Sequence, residues 1–122
     1  MSKIQLVWST LIPLNESDIN KIGDVGGVYR LSKKSEDGKF YVFFVGSGEN
    51  IKQRLSQHLS AAEDNQRLKN LLKLGGDFVF RYAPIQDRGI REAIEKQIYR
   101  TYRPEYNSEE PKSSLEVEAN LN

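Results

Sequence analysis

The sequence predicts a mixed α/β (α+β) domain: a small central mixed sheet of about three strands, with a β-hairpin, flanked by helices. Short stretches such as Phe78-Val79-Phe80-Arg81-Tyr82 alternate with the two-residue period of a strand. Longer stretches carry apolar residues at helical spacing, as in Ile90, Ala93, Ile94 and Ile98. The 122 residues, 38% hydrophobic and 29% charged, suffice for one core and one domain.

The elements follow in order. Lys3 to Trp8 alternates, with Ile4, Leu6 and Trp8 to one side, and reads as a short strand. Asn15 or Ser17 can cap a short helix through Ile22, because either side-chain oxygen can accept a free first-turn amide. Gly26-Gly27 breaks it. Val28 to Ser32 and Phe40 to Val45 form an antiparallel hairpin, since Asp37-Gly38 between them suits a turn with positive φ. In the second strand Phe40, Val42 and Phe44 share one face, and Tyr41, Phe43 and Val45 the other. Both faces are apolar, which predicts a central strand covered on both sides.

Gly46-Ser47-Gly48 then leads into a helix beginning near Asn50, with Ile51, Leu55, Leu59 and Ala62 as its buried stripe. A second helix, Asn65 to Leu74, turns Leu68, Leu71 and Leu72 inward and ends at Gly75-Gly76. Asp77 to Ala83 supplies the third strand. Asp87 caps a long helix that buries Ile90, Ala93, Ile94, Ile98 and Tyr102, and Pro104 stops it. Residues 1–107 therefore read as a single domain, with an N-terminal strand and short helix (1–22) ahead of a core (23–107). Residues 108–122 read as an acidic tail, flexible or loosely docked.

Composition narrows the function. No apolar run approaches the ~20 residues of a membrane helix, and Met1-Ser2-Lys3-Ile4 does not open a signal sequence. The chain has no cysteine, which excludes disulfides, thiolate zinc sites and cysteine nucleophiles. The cytoplasm is the expected compartment. The net charge of +1 divides into −3 for the tail, with four Glu and one Lys, and +4 for the body. A modestly basic body can bind a phosphate backbone.

Several single residues carry candidate chemistry. Arg54 and His58 lie four apart on one helix face, beside the Ile51/Leu55 stripe. Arginine is the usual fork for phosphate oxygens and can steady charge developing on phosphorus. His58, the only histidine, titrates near neutral pH. Glu95 sits beside Ile94 and Ile98, near the buried edge of its helix, whereas Glu92 and Lys96 pair on the solvated face. A lone carboxylate can hold a hard divalent cation when waters and a substrate phosphate fill the other positions. Tyr29 acts as a base only if its ordinary pKa of ~10 is lowered, or through a water. Each residue alone also has a plain structural reading, as a surface arginine, a surface histidine or a core tyrosine.

Together they form an ordered set: Gly27-Val28-Tyr29, Phe44-Val45-Gly46, Arg54, His58, Glu95, and Pro104 with Asn107. The set resembles the GIY-YIG endonuclease superfamily, over roughly Ile22 to Asn107. Gly27-Val28-Tyr29 is similar to the first family motif. Phe44-Val45-Gly46 is similar to the second, with its leading tyrosine replaced. Ser47 to Leu59 resembles the helix with the catalytic arginine, and His58 matches a position that some members fill with a functional histidine. Glu95 and the run Pro104-Glu105-Tyr106-Asn107 resemble the metal-binding glutamate and the closing Pro-x-x-Asn.

The resemblance implies a stand-alone catalytic domain that cuts DNA by a one-metal mechanism. Tyr29, or a water it positions, would be activated for attack; Arg54 would steady the phosphoryl charge; Glu95 would hold Mg²⁺ (or Mn²⁺). Asn107 would buttress the site and contact nucleic acid, and His58 would assist proton transfer. The family often places a lysine just after the second motif, where this chain has Ser47 and Glu49; Lys52 is the candidate replacement and a further nucleic-acid contact. Phe44 cannot donate the hydrogen bond of the tyrosine it replaces. Two expectations follow: an active nuclease on DNA, branched or damaged, with a protein partner supplying specificity; or a catalytically weakened module retained for nucleic-acid binding or protein interaction.

Overall fold

A computed structural model of the protein describes residues 2–121. Its main sheet is built around strand β3 (Gly27–Lys34), buried from Gly27 to Ser32. β3 pairs antiparallel with β4 (Phe40–Gly48) on one side and with β5 (Phe78–Pro84) on the other. A two-residue strand, β2 (Ile12–Pro13), adds to β5, giving the order β2-β5-β3-β4. The mixed α/β class is therefore as expected, but the sheet has four strands, all antiparallel, rather than about three in a mixed sheet.

Helices cover both faces. α1 (Glu16–Ile19), α2 (Ile51–His58) and α3 (Gln66–Lys73) lie with one core of Ile19, Tyr29, Leu31, Phe43, Phe44, Ile51, Leu55, Leu68 and Phe80. The other core, Val28, Val45, Ala83, Ala93, Ile94 and Ile98, packs the sheet against α4 (Arg88–Tyr102). The caps are asparagines and an aspartate, each accepting a first-turn amide: Asn15 for α1, Asn50 for α2, Asn65 for α3 and Asp87 for α4. Arg103, in the left-handed conformation at φ 50°, ends α4 just before Pro104.

The structure corrects several expectations. β4 is an edge strand, not a central one; it is buried only from Phe43 to Gly46, while Phe40 and Tyr41 are exposed. A bulge lies at Phe43, because Leu31 pairs with Phe44 and Ser32 with Val42. Phe43 and Phe44 consequently join the same core and Val42 and Val45 the other, instead of alternating. The strand also runs on to Gly48, so Tyr29 stands directly opposite Gly46 and the two glycine-containing motifs are hydrogen-bonded neighbours.

α2 stops at His58, which is buried, whereas Leu59 and Ala62 are exposed and form no part of the stripe. α1 ends at Ile19, before Ile22. Ile90 and Tyr102 are half-buried, and Arg91 is buried in α4 because its guanidinium donates to the carbonyls of Ile85 and Gln86. The N-terminal strand β1 (Ser2–Ile4) ends well short of Trp8 and lies outside the main sheet. Its partner is β6 (Val117–Ala119), in parallel. Of the two expectations for the C-terminal segment, flexible or loosely docked, the structure shows a docked one: Val117 is buried and Gln97 bonds Ala119 through both of its amide ends.

Candidate active site

Because β4 lies at the edge of the sheet, helices from opposite faces can meet around its outer side. α2 brings Arg54 and α4 brings Glu95 to one cleft of about 830 Å³, floored by Phe44 to Ser47 and bounded by Asn107. Strand alternation fits this arrangement. Gly46 turns toward Tyr29 on the α2 face, and Ser47 turns toward α4, where its hydroxyl donates to Glu95 Oε1 at 2.5 Å.

Burial raises the Glu95 pKa above the usual carboxylate range. The Ser47 hydrogen bond and the Arg54 guanidinium oppose the rise, and Glu92 adds to it. Arg54 is half-buried and donates to Gln57 Oε1 at 2.8 Å. Its charge also reaches Tyr29 and His58, so one guanidinium acts on the protonation of three groups.

Tyr29 is fully buried, and its hydroxyl lies 2.6 Å from His58 Nε2. A Cβ on Gly46 would fall 2.4 Å from that hydroxyl oxygen, so the glycine is required by the tyrosine crossing it. His58 in turn places Nδ1 2.5 Å from Glu63 Oε1. Burial lowers the His58 pKa, with Glu63 pulling it back up and Arg54 pushing it down; burial pushes the Tyr29 phenol well above its ordinary value. Phe44 packs on this chain, its ring centroid 4.9 Å from His58 and 6.4 Å from Tyr29, and lines the cleft.

Asn107 clamps the outer edge of β4 at two points: Oδ1 accepts from Val45 N at 3.0 Å, and Nδ2 donates to Val45 O at 2.9 Å. Lys52, by contrast, does not line the cleft; it lies 3.6 Å from Asp24. The structure therefore brings together Tyr29, Phe44, Arg54, His58, Glu95 and Asn107, and leaves Lys52 apart. Sequence reading missed Ser47 and Glu63 as partners. Glu63 follows His58 by five residues, beyond the end of α2, where helical spacing carries no signal. Acidic side chains outnumber basic ones in the cleft lining, six to three.

Comparison with known proteins bears on the family and the fold. Residues 25–107 match the family model described as the GIY-YIG catalytic domain. The chain belongs to the GIY-YIG family. Among solved structures, it is similar to the GIY-YIG N-terminal endonuclease domain of UvrC from Thermotoga maritima bound to its catalytic divalent cation, magnesium. That match has 16% identity, covers 75% of this chain and 92% of that one, and gives a TM-score of 0.57. An asparagine-to-alanine mutant of the same domain, bound to its catalytic divalent cation, matches at 15% identity, over 76% and 93% of the two chains, with a TM-score of 0.58. A tyrosine-to-phenylalanine mutant matches at 16%, over 76% and 93%, with a TM-score of 0.56. At these identities the likeness establishes the GIY-YIG fold. Among curated proteins no sequence matches.

Proposed function

We propose that this GIY-YIG domain is a divalent-metal-dependent endonuclease that hydrolyses DNA phosphodiester bonds with one metal ion. The observation that carries the reading is the meeting of Arg54 and Glu95, from helices on opposite faces of the sheet, in one cleft around β4. No group of three or more acidic or histidine side chains among the described residues could hold a metal. A cation would therefore keep most of its waters, as Mg²⁺ does on one or two carboxylates. The carboxylate of Glu95, oriented by Ser47 and destabilised as an anion by burial, fits that duty. The magnesium-bound UvrC domain supports the choice of ion.

When bound, the cation neutralises phosphate charge and stabilises the leaving oxygen. Arg54 forks the non-bridging oxygens and steadies the charge that grows on them. His58 and Tyr29 handle the proton of the attacking water. Asn107 holds the floor of the cleft; its amide is already committed to Val45, so it serves the site as a buttress rather than as a nucleic-acid contact. Lys52 reaches a phosphate only by leaving Asp24. The catalytic unit is the core 23–107 within a domain of 1–107.

No helix among the described residues is long and apolar enough to cross a membrane. With no cysteine in the chain, the cytoplasm suits the protein. A branched or damaged DNA is the expected substrate, with a protein partner supplying the target. Binding through about four phosphates gives a log–log salt slope of roughly −3.6.

A second reading, a weakened module retained for nucleic-acid binding or protein interaction, is favoured by two observations: Phe44 in the second motif and the acidic majority in the cleft. Branched, flapped, nicked and plain duplex DNA, each incubated with the protein in Mg²⁺ or Mn²⁺, separate the two. The nuclease reading expects cleavage that Glu95→Ala abolishes and Arg54→Ala slows by about 10²–10³-fold. Equal cleavage by Glu95→Ala marks a contaminant and removes the support for it. A gain of activity in Phe44→Tyr identifies the wild type as a lapsed catalyst.

A further inference from the structure

Glu63 has no part in the resemblance to the family motifs, yet it ends a buried chain that begins at Tyr29. The three members are 8%, 1% and 0% exposed for Glu63, His58 and Tyr29, and both links are short, at 2.5 Å and 2.6 Å. Resting on the nuclease reading above, we propose that Glu63 is a positioning residue. It holds the His58 ring with its proton on Nδ1, so that bare Nε2 accepts the proton of the Tyr29 hydroxyl.

The donor and acceptor inventory leads there. A neutral imidazole has one N–H and one lone-pair nitrogen, while a carboxylate only accepts. Glu63 beside Nδ1 therefore requires the hydrogen on that nitrogen. Nε2 is left as the acceptor, and the Tyr29 O–H is the donor that faces it. The Phe44 ring packs edge-on over His58, while Glu63 at the far end of this chain lines the cleft. The logic is that of a hydrolase triad, in which a buried carboxylate fixes the histidine tautomer and steadies the imidazolium. Here a phenol stands in the place of the serine.

The relay answers a difficulty created by burial, which disfavours a free phenolate at Tyr29. The Tyr29 hydroxyl occupies the space a side chain on Gly46 would fill, and Gly46 lines the cleft. As a water in the cleft gives one proton to the Tyr29 oxygen, Tyr29 passes its own proton to His58 Nε2, so the phenol stays neutral throughout. The water oxygen forms its bond to phosphorus with the freed electron pair. The bond from phosphorus to the leaving oxygen breaks, and that oxygen departs with the bonding pair. The imidazolium is held against the Glu63 carboxylate until solvent takes its proton.

His58 is the only histidine, so the ring nitrogens of one residue can be read directly by ¹⁵N NMR. At pH 7 the wild type should show a protonated Nδ1 and a bare Nε2. Glu63→Ala should shift the ring toward the Nε2–H tautomer. A wild-type ring that is doubly protonated, or bare at Nδ1, overturns the proposal without any variant; so does a folded Glu63→Ala protein with an unchanged pattern. With cleavage established, Glu63→Gln should lower kcat by about 10²-fold with KM unchanged, and a wild-type kcat in that variant also overturns it. A protein that cuts no DNA at all defeats the nuclease reading, while the tautomer measurement still decides the role of Glu63.

Discussion

Asn107 and Asn120 hold backbone in the same way at two distant places. Asn107 offers both ends of its amide to the N–H and carbonyl of Val45, at 3.0 and 2.9 Å. Asn120 does the same to Leu6, at 2.6 and 3.0 Å. Both are half-buried, and each satisfies the N–H and the carbonyl of one residue. What differs is the backbone they satisfy. Val45 lies in the floor of the cleft, between Phe44 and Gly46, so the Asn107 clamp fixes the site. Leu6 lies among the chain termini, where Trp8 Nε1 donates to Asn120 O and Arg30 donates to Leu121 O. One hydrogen-bonding device thus serves position in one region and attachment in the other, and its chemistry alone does not reveal which.

The largest expected effect separates the two in cleavage. Asn107→Ala frees the edge of β4 and should lower kcat/KM by about 10²-fold, the scale of a 1 Å misplacement in an active site. Asn120→Ala should leave the rate at the wild-type value in the same assay. Equal losses in both would mean that Asn107 acts through stability alone.

In stability the pair should look alike. Each substitution strands two backbone groups, and urea unfolding should show a loss of about 2 kcal/mol for either one. The two clamps share no partner, so the double variant should lose the sum within about 0.5 kcal/mol. A clear excess over the sum would show that the terminal region and the cleft are coupled.

The smallest effect belongs to the cleft side alone. The folded pKa of His58 is lowered by burial, so the folded state disfavours its protonation. The unfolded chain takes up that proton at about pH 6.5. The contribution to stability is therefore complete above about pH 6.5 and is lost as pH falls toward the lowered folded value. Unfolding midpoints for the wild type and Asn120→Ala should decline together over that window. A His58→Gln variant should lack this component of the decline, and its persistence in that variant would assign it to other groups.

Much of this was legible in the residues. The four helices, the Asp37-Gly38 turn with Gly38 at φ 82°, and the caps Asp87 and Asn15 follow from local chemistry, which acts over a few positions. The bulge at Phe43 was not legible, because an apolar run on both faces fits either parity. Nor was the edge position of β4, since strand order depends on long-range pairing. His58 was expected at a helix edge and is buried instead, because Glu63 returns from beyond the end of α2 to meet it. The composition of the acidic tail predicts a flexible or loosely docked segment. Its few apolar residues suffice once α4, just before it in sequence, offers a surface and β1, at the opposite end of the chain, offers a free edge.

The sequence alone determined which chemistry this protein carries. The types and order of Tyr29, Arg54, His58, Glu95 and Asn107 lie in the covalent chain, and so does Phe44. Only the tertiary structure decided their surroundings. Side-chain types define what a group can donate, accept or hold, but burial and neighbours decide which proton stays where. Packing buried Tyr29 with His58 and Glu63, turned Asn107 toward Val45 rather than outward, and set Arg54 and Glu95 across one edge strand. Those outcomes depend on contacts between residues tens of positions apart, which local spacing does not encode.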